Sequence, residues 1–347
     1  MGLDGVSLFF VILTTFITVP CVLLTWRRSK GVNEFLIFLF LIEFSSLVVF
    51  TTLDLFVFYM FFESVLMPMF IMIGVWGSDL RGRIKASYYF FLYTLLGSTL
   101  MLLAIILIFI ETGTTSFLVL LETDFSCKKQ LILWLFTFLG FAVKIPMLPI
   151  HIWLPEAHVE APTEGSVILA SLLLKLGGYG FIRVSLPMFP YGSEYFTPVV
   201  AVCAVLGVIY GSLTTLRQVD LKKIIAYSSV AHMNLVVLGI FSITHIGLQG
   251  ALFLMLAHGI VSGALFFIVG IAYDRYHTRC IEYYGGLTQI MPLFSFFFLF
   301  FLLANMSFPG TCNFVGELLL LIGIMQKNIL LLFLSATGIV FSAAYSI

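Results

Sequence analysis

Polar residues arrive in short clusters along the chain, and the stretches between them are almost wholly apolar, from "VSLFFVILTTFITVPCVLLT" near the start to "ILLLFLSATGIVFSAAYSI" at the end. A helix needs about 20 mostly apolar residues to cross hydrocarbon, where no water is present to satisfy its backbone. On that rule the pattern predicts eleven spans, near residues 5–26, 34–52, 53–76, 86–111, 130–150, 164–187, 196–216, 222–241, 246–273, 291–325 and 328–347. The second and third nearly touch, and the tenth is long and contains Pro309. The N-terminal stretch has no basic n-region and carries Asp4, so it reads as the first span and not as a signal peptide. The expectation is an all-α polytopic membrane protein, residues 1–347 forming a single transmembrane domain with no soluble insertion.

Composition agrees. Of 347 residues, 61% are hydrophobic and 10% charged, against about 25% charged in soluble domains. A net charge of 0 gives no reason to expect a nucleic-acid partner. The five cysteines are scattered and form no CxxC, which argues against a disulfide framework, a zinc site or an iron–sulfur cluster. No nucleotide-binding glycine motif appears, so redox cofactors, if the reaction uses them, are expected in other chains.

Alternating the spans assigns the loop charges to two faces. One receives Arg27, Arg28, Lys30, Arg81, Arg83, Lys85, Arg217, Lys222, Lys223, Arg275 and Arg279; the other receives Lys128, Lys129, Arg183 and Lys327. Lys/Arg-rich loops stay on the negative side of the membrane, which makes the first face cytoplasmic or matrix-facing.

Prolines interrupt the fifth and tenth spans, at Pro146 ("VKIPML") and Pro309 ("MSFPGTCNFVGE"). Broken spans in corresponding places of two halves point to inverted repeats and a midplane site. Two five-span units, each ending in a broken helix, suit this spacing.

Ionisable residues inside spans are functional hypotheses by default, since a charge at the bilayer centre costs at least about 2.5–3.5 kcal/mol. They are Glu63, Lys144, Lys175, His232, His258 and Glu317; Glu43 and Asp54 lie nearer span ends. The competing readings are a static buried pair for Glu63 and Lys144, a snorkelling Lys175, close helix packing for His258, and backbone bonding at the break for Glu317. His232 reads equally as a satisfied core histidine. As a row they read as a proton relay. Pro146 frees carbonyls beside Lys144, and those need polar partners or water. Burial and a nearby carboxylate act on a lysine in opposite directions, so movement of Glu63 would switch Lys144 between protonation states.

"FAVKIPMLPIHIWLPEAHVEAP", "SVILASLLLKLGGYG", "LKKIIAYSSVAHMNLVVLGI", "LMLAHGIVSGALFFIVG" and "ANMSFPGTCNFVGE" resemble the antiporter-like proton-translocating membrane subunits of mitochondrial NADH–ubiquinone oxidoreductase, respiratory complex I, a family that includes Mrp-type cation/proton antiporter subunits. The resemblance covers essentially the whole chain. It implies that Glu63, Lys144, Lys175, His232, His258 and Glu317 form a polar axis along the membrane centre. At the last place of this axis some members of the family carry lysine, where this chain has Glu317. The resemblance further implies a multi-pass place in the mitochondrial inner membrane with basic loops toward the matrix. The partners it implies are lipids and other membrane-arm subunits, especially chains 2 and 5. The complex's NADH, FMN, iron–sulfur clusters and ubiquinone would be held elsewhere, with none bound by this chain. Two N-terminal spans and a C-terminal piece of the family pattern appear absent, and Glu164 stands where a small or apolar residue is usual. The alternatives are an Mrp-type antiporter subunit and a non-pumping assembly scaffold.

Overall fold

The computed structural model describes residues 1–26 and 31–346. Arg27, Arg28 and Lys30 of the expected basic face, and Ile347 of the last expected span, lie outside them. The described residues form helices and short connections, with two isolated β-bridges and no strand among them.

The principal helices are α1 (Gly5–Thr25), α2 (Val32–Thr51), α3 (Leu55–Trp76), α4 (Leu80–Thr112), α5 (Cys127–Lys144), α6 (Trp153–Glu160) and α7 (Thr163–Met188). They continue with α8 (Pro190–Arg217), α9 (Leu221–Phe241), α10 (His245–Tyr276), α11 (Pro292–Asn305), α12 (Cys312–Lys327) and α13 (Ile329–Ser346). Among the described residues, nine of them are long and apolar enough to cross a membrane as single helices. The remaining two expected spans are the ones containing Pro146 and Pro309, and each is divided into shorter helices.

The fifth expected span stops early. α5 ends at Lys144, the backbone leaves the helix over 145–152, and α6 then begins at Trp153. Pro146 and Pro149 supply no N–H and deny the helix its next bonds. The sequence reading left 153–160 in a loop; in fact α6 is mostly buried and packs on α4 and α9. The tenth expected span breaks over 306–311, where Gly310, at φ 98°, makes a turn that only glycine adopts without strain. α7 contains two π-helical turns, Leu169–Leu173 and Phe181–Ser185, one on each side of Lys175. Such turns are frequent at functional sites.

Loop pairing defines the two ends of the bundle. At one end, Leu55 N–H donates to Thr115 O (2.8 Å) and Phe117 N–H to Leu53 O (2.9 Å), joining the connections before α3 and after α4. Arg183 pairs with Asp4 between the end of α7 and the start of the chain. The other end holds the bonds Ser78 N–H to Glu160 O and Leu221 N–H to Arg279 O, both 3.0 Å. Ser78, Lys222 and Arg279 line one pocket of about 180 Å³ there. Of the basic clusters that alternation assigned to one face, those following α3, α8 and α10 therefore share an end.

The inner helices are α7 and α9: in each, 89% of the apolar window is buried, against 17% in α13. α10 and α12 approach backbone to backbone. A Cβ on Gly323 would lie 2.5 Å from Gly247 Cα, and one on Gly316 would lie 3.0 Å from Leu254 Cα. Small residues at a membrane helix interface permit this approach, and it sets the position of Glu317, next to Gly316. Gly323→Ala forces α12 off α10 and is expected to cost about 1–3 kcal/mol. A lowered unfolding temperature of the purified complex checks this; an unchanged one contradicts it.

Candidate functional site

Lys144 is the last residue of α5, and its buried ammonium group sits 4.6 Å from the centre of the Phe62 ring and 3.4 Å from the Phe62 carbonyl. Phe58 and Phe141 pack against Phe62 and against each other, with ring centroids 5.7–6.2 Å apart. A cation over an aromatic face is stabilised by about 2 kcal/mol once water is excluded. The expected partner, Glu63, is the next residue along α3. It acts on Lys144 through space, but no ion pair within 4.0 Å joins them among the described residues. Glu63 is partly buried, and its Oε1 has no hydrogen-bond partner among the described residues. The static pair of the bland reading is thus absent among the described residues: Lys144 is held by Phe62, while Glu63 lies near Ser98.

Lys175 follows the first π-turn of α7 and is fully buried. Its Nζ donates to Ala170 O (2.5 Å), a carbonyl inside the π-turn, and lies 2.8 Å from His258 Nδ1 on α10. When Lys175 is an ammonium it can only donate, and Nδ1 then accepts with the ring proton on Nε2. Nε2 faces Ser229 Oγ at 3.2 Å, and that hydroxyl donates to Ile225 O (3.0 Å). The snorkelling reading of Lys175 fails, because the side chain turns inward to a histidine.

His232, on α9, has its ring centroid 5.6 Å from that of His258. Its Nδ1 contacts Glu317 Oε1 at 3.0 Å, with both side chains buried. His232 is thus a carboxylate partner, an arrangement that suits a satisfied core histidine and a relay group alike. Glu317 lies in the second turn of α12, which begins at Cys312 and not directly after Pro309. His232, Glu317 and Tyr345 line a cavity of about 20 Å³, enough for about one water molecule. His232 Nε2, Glu317 Oε2 and the Tyr345 hydroxyl are all buried without a hydrogen-bond partner among the described residues.

Five of the six expected residues are thus deeply buried. Four of them, Lys175, His258, His232 and Glu317, form a consecutive string; Lys144 and Glu63 form a second group. No hydrogen bond joins Lys144 to Lys175 among the described residues. Of the two interfacial candidates, Asp54 caps α3, accepting from Phe56 N (2.9 Å), Val57 N (3.1 Å) and the Thr115 hydroxyl (2.7 Å), while Glu43 accepts from Thr18 (2.9 Å).

Sequence reasoning missed Ser229, His158, Asn234 and Tyr345. His158 on α6 is fully buried, stacks on Phe266 (4.5 Å, 4°), and lies in the field of Lys222 and Lys175. Its location required knowledge of α6. Ser229 and Asn234 sit in the motif that holds His232, as polar residues in an apolar span, and that was the available signal. Glu164, at the start of α7, is buried near Cys21 and the Lys222 ammonium, which donates to Ala161 O (2.9 Å).

The family described as NADH:quinone oxidoreductase/Mrp antiporter, transmembrane, matches residues 52–342. The chain belongs to this family. Curated relatives in it include NADH-ubiquinone oxidoreductase chain 4 of Marchantia polymorpha, 59% identical over 348 residues, and that of Arabidopsis thaliana, 59% identical over 349. Each match covers 100% of this chain and 70% of the relative. Among solved structures, a chain of respiratory complex I from Thermus thermophilus with bound NADH is 34% identical, with a TM-score of 0.92 over 99% of this chain and 73% of that one. A chain of the Mrp complex from a Dietzia species, 23% identical with a TM-score of 0.90 over 99% of this chain and 65% of its own, has the same fold.

The His232–Glu317 contact predicts thermodynamic coupling. In a cycle of His232→Ala, Glu317→Ala and the double substitution, thermal unfolding of the purified complex is expected to give a coupling of about 1 kcal/mol or more, whereas additivity within about 0.5 kcal/mol would contradict the contact.

Proposed function

We propose that this chain is a proton-translocating membrane-arm subunit of respiratory complex I. Its role is to couple electron transfer from NADH to ubiquinone, carried out in other subunits, to proton movement through its own polar string. The observation that carries the reading is the run of buried ionisable side chains Lys175, His258, His232 and Glu317 across α7, α10, α9 and α12. Buried charges are retained at such expense where they move ions or protons.

In this reading Lys144 and Lys175 each hold and release a proton. His258 is suited to pass one across its ring: Nδ1 accepts from the Lys175 ammonium, and the proton on Nε2 leaves toward Ser229 and His232. Glu317 receives it through His232 and releases it beyond. From Glu317, α12 continues to Lys327, away from the end that carries Lys222 and Arg279. That supports Glu317 as the exit-end group. By the distribution of basic residues the Lys222 end faces the matrix of the mitochondrial inner membrane, and Glu317 leads to the other side. Glu63 biases Lys144 by approaching or withdrawing. The redox groups belong to other subunits, and neighbouring membrane chains, chains 2 and 5 foremost, transmit the coupling. The close relatives' names favour complex I over a cation/proton antiporter, whose solved example shares the fold at 23% identity.

Glu317→Gln separates a relay from a backbone cap, since an amide still bonds but cannot titrate. The assembled variant is expected to lose proton pumping by at least about tenfold, read in proteoliposomes. Assembly with full pumping refutes the role. Lys144→Ala is likewise expected to abolish most pumping and to slow NADH–ubiquinone turnover; a normal gradient at normal turnover contradicts it.

A further inference from the structure

Breaking α5 at Lys144 frees carbonyls inside the membrane, where each needs a partner. Some are satisfied locally: Phe141 O accepts from Ile145 N–H (2.8 Å), and Ala142 O from Met147 N–H (3.3 Å). Two others are satisfied by side chains from elsewhere. Val143 O accepts from Trp153 Nε1 (3.0 Å), which belongs to α6, the other half of the broken helix. Pro146 O accepts from Asn234 Nδ2 (3.1 Å), which belongs to α9.

We infer that Asn234 is a positioning residue that ties the break beside Lys144 to the helix carrying His232. Three observations carry this. Asn234 is fully buried, and its amide spends both N–H groups on carbonyls, Pro146 O and, at 2.8 Å, Val230 O of its own helix. Its orientation is fixed by that chemistry, because a carbonyl oxygen in the amide nitrogen's place would face two acceptors. Gly207 on α8 makes room for the amide: a Cβ there would lie 2.5 Å from Asn234 Oδ1. Finally, α9 carries Ser229, His232 and Asn234 within two turns, so one rigid helix touches His258, Glu317 and the break.

This link spans the gap in the string. Lys144 and Lys175 share no hydrogen bond, yet a change of backbone at 145–147, beside Lys144, pulls on α9 through Asn234 and thereby on the His232–Glu317 contact. The inference rests on the relay reading, and Lys144→Ala serves as its control.

The test uses the assembled complex in proteoliposomes and reads protons moved per NADH oxidised from pH 6 to 8. Asn234→Leu keeps the size and removes the donor; it is expected to lower the ratio at least about twofold at every pH, in line with the loss of two buried hydrogen bonds, one of them to the break. Asn234→Asp keeps the shape and donates to Pro146 O only when protonated, so its ratio is expected to fall from near wild type toward that of the leucine variant as pH rises. Gly207→Ala, which displaces the amide, is expected to match Asn234→Leu. A packing role predicts no such pH dependence. Wild-type ratios for Asn234→Leu, or an aspartate profile parallel to wild type, overturn the inference, as does failure of both Asn234 variants to assemble. Full pumping by Lys144→Ala rejects the relay reading itself.

Discussion

In hydrocarbon a backbone carbonyl without a partner costs several kcal/mol, and this chain breaks a helix at Lys144 in spite of it. The rest of the arrangement answers that constraint. Trp153 and Asn234 take the freed carbonyls, Gly207 admits Asn234, and α6 returns the chain to the far end of the bundle. Lys144 is placed where helix ends, aromatic faces and a carbonyl replace its water shell. The same logic places Lys175: the π-turn before it exposes Ala170 O as an acceptor, and His258 supplies the second.

Two kinds of contact follow from this, and they divide the work. Lys175–His258 and His232–Glu317 are direct contacts of 2.8 and 3.0 Å between groups that can exchange a proton. Lys144–Glu63, Lys144–Lys175 and His258–His232 are gaps, with no hydrogen bond across them among the described residues; Glu63 acts on Lys144 through space, and the two histidine rings lie 5.6 Å apart. In the proposed relay, direct contacts carry protons and gaps control them. A pump needs both, since an unbroken wire would leak. The glycine seam between α10 and α12 keeps Glu317 within reach of His232, so even a residue with no polar atom in its side chain sets the geometry of transfer.

Hydropathy revealed most of the fold, because lipid leaves helices as the only spanning option for runs this apolar. It could not show that the chain at Pro146 resumes as α6: "WLPEAHVE" is polar enough to read as a loop, and burial against α4 and α9 decides the matter. The six site residues were legible because a charge in an apolar run stands out. Their partners were not. Glu63 looked like the ion-pair partner of Lys144, and the structure gives Lys144 to Phe62. Asn234 and Ser229 are uncharged, so nothing in the pattern ranked them above other polar residues in spans. Tyr345 comes to the cavity beside Glu317 only through the packing of α13 against α8 and α12.

The central claim is that Lys144 and Glu317 are the ends of one proton path with a controlled gap between the lysines. A density map of the assembled complex, at a resolution that shows ordered water, tests it most directly. The account predicts ordered water between Lys144 and Lys175 in at least one turnover state, and a water in the cavity beside His232, Glu317 and Tyr345. A gap filled by apolar side chains in every state, with Lys144 fixed against Phe62, would contradict it.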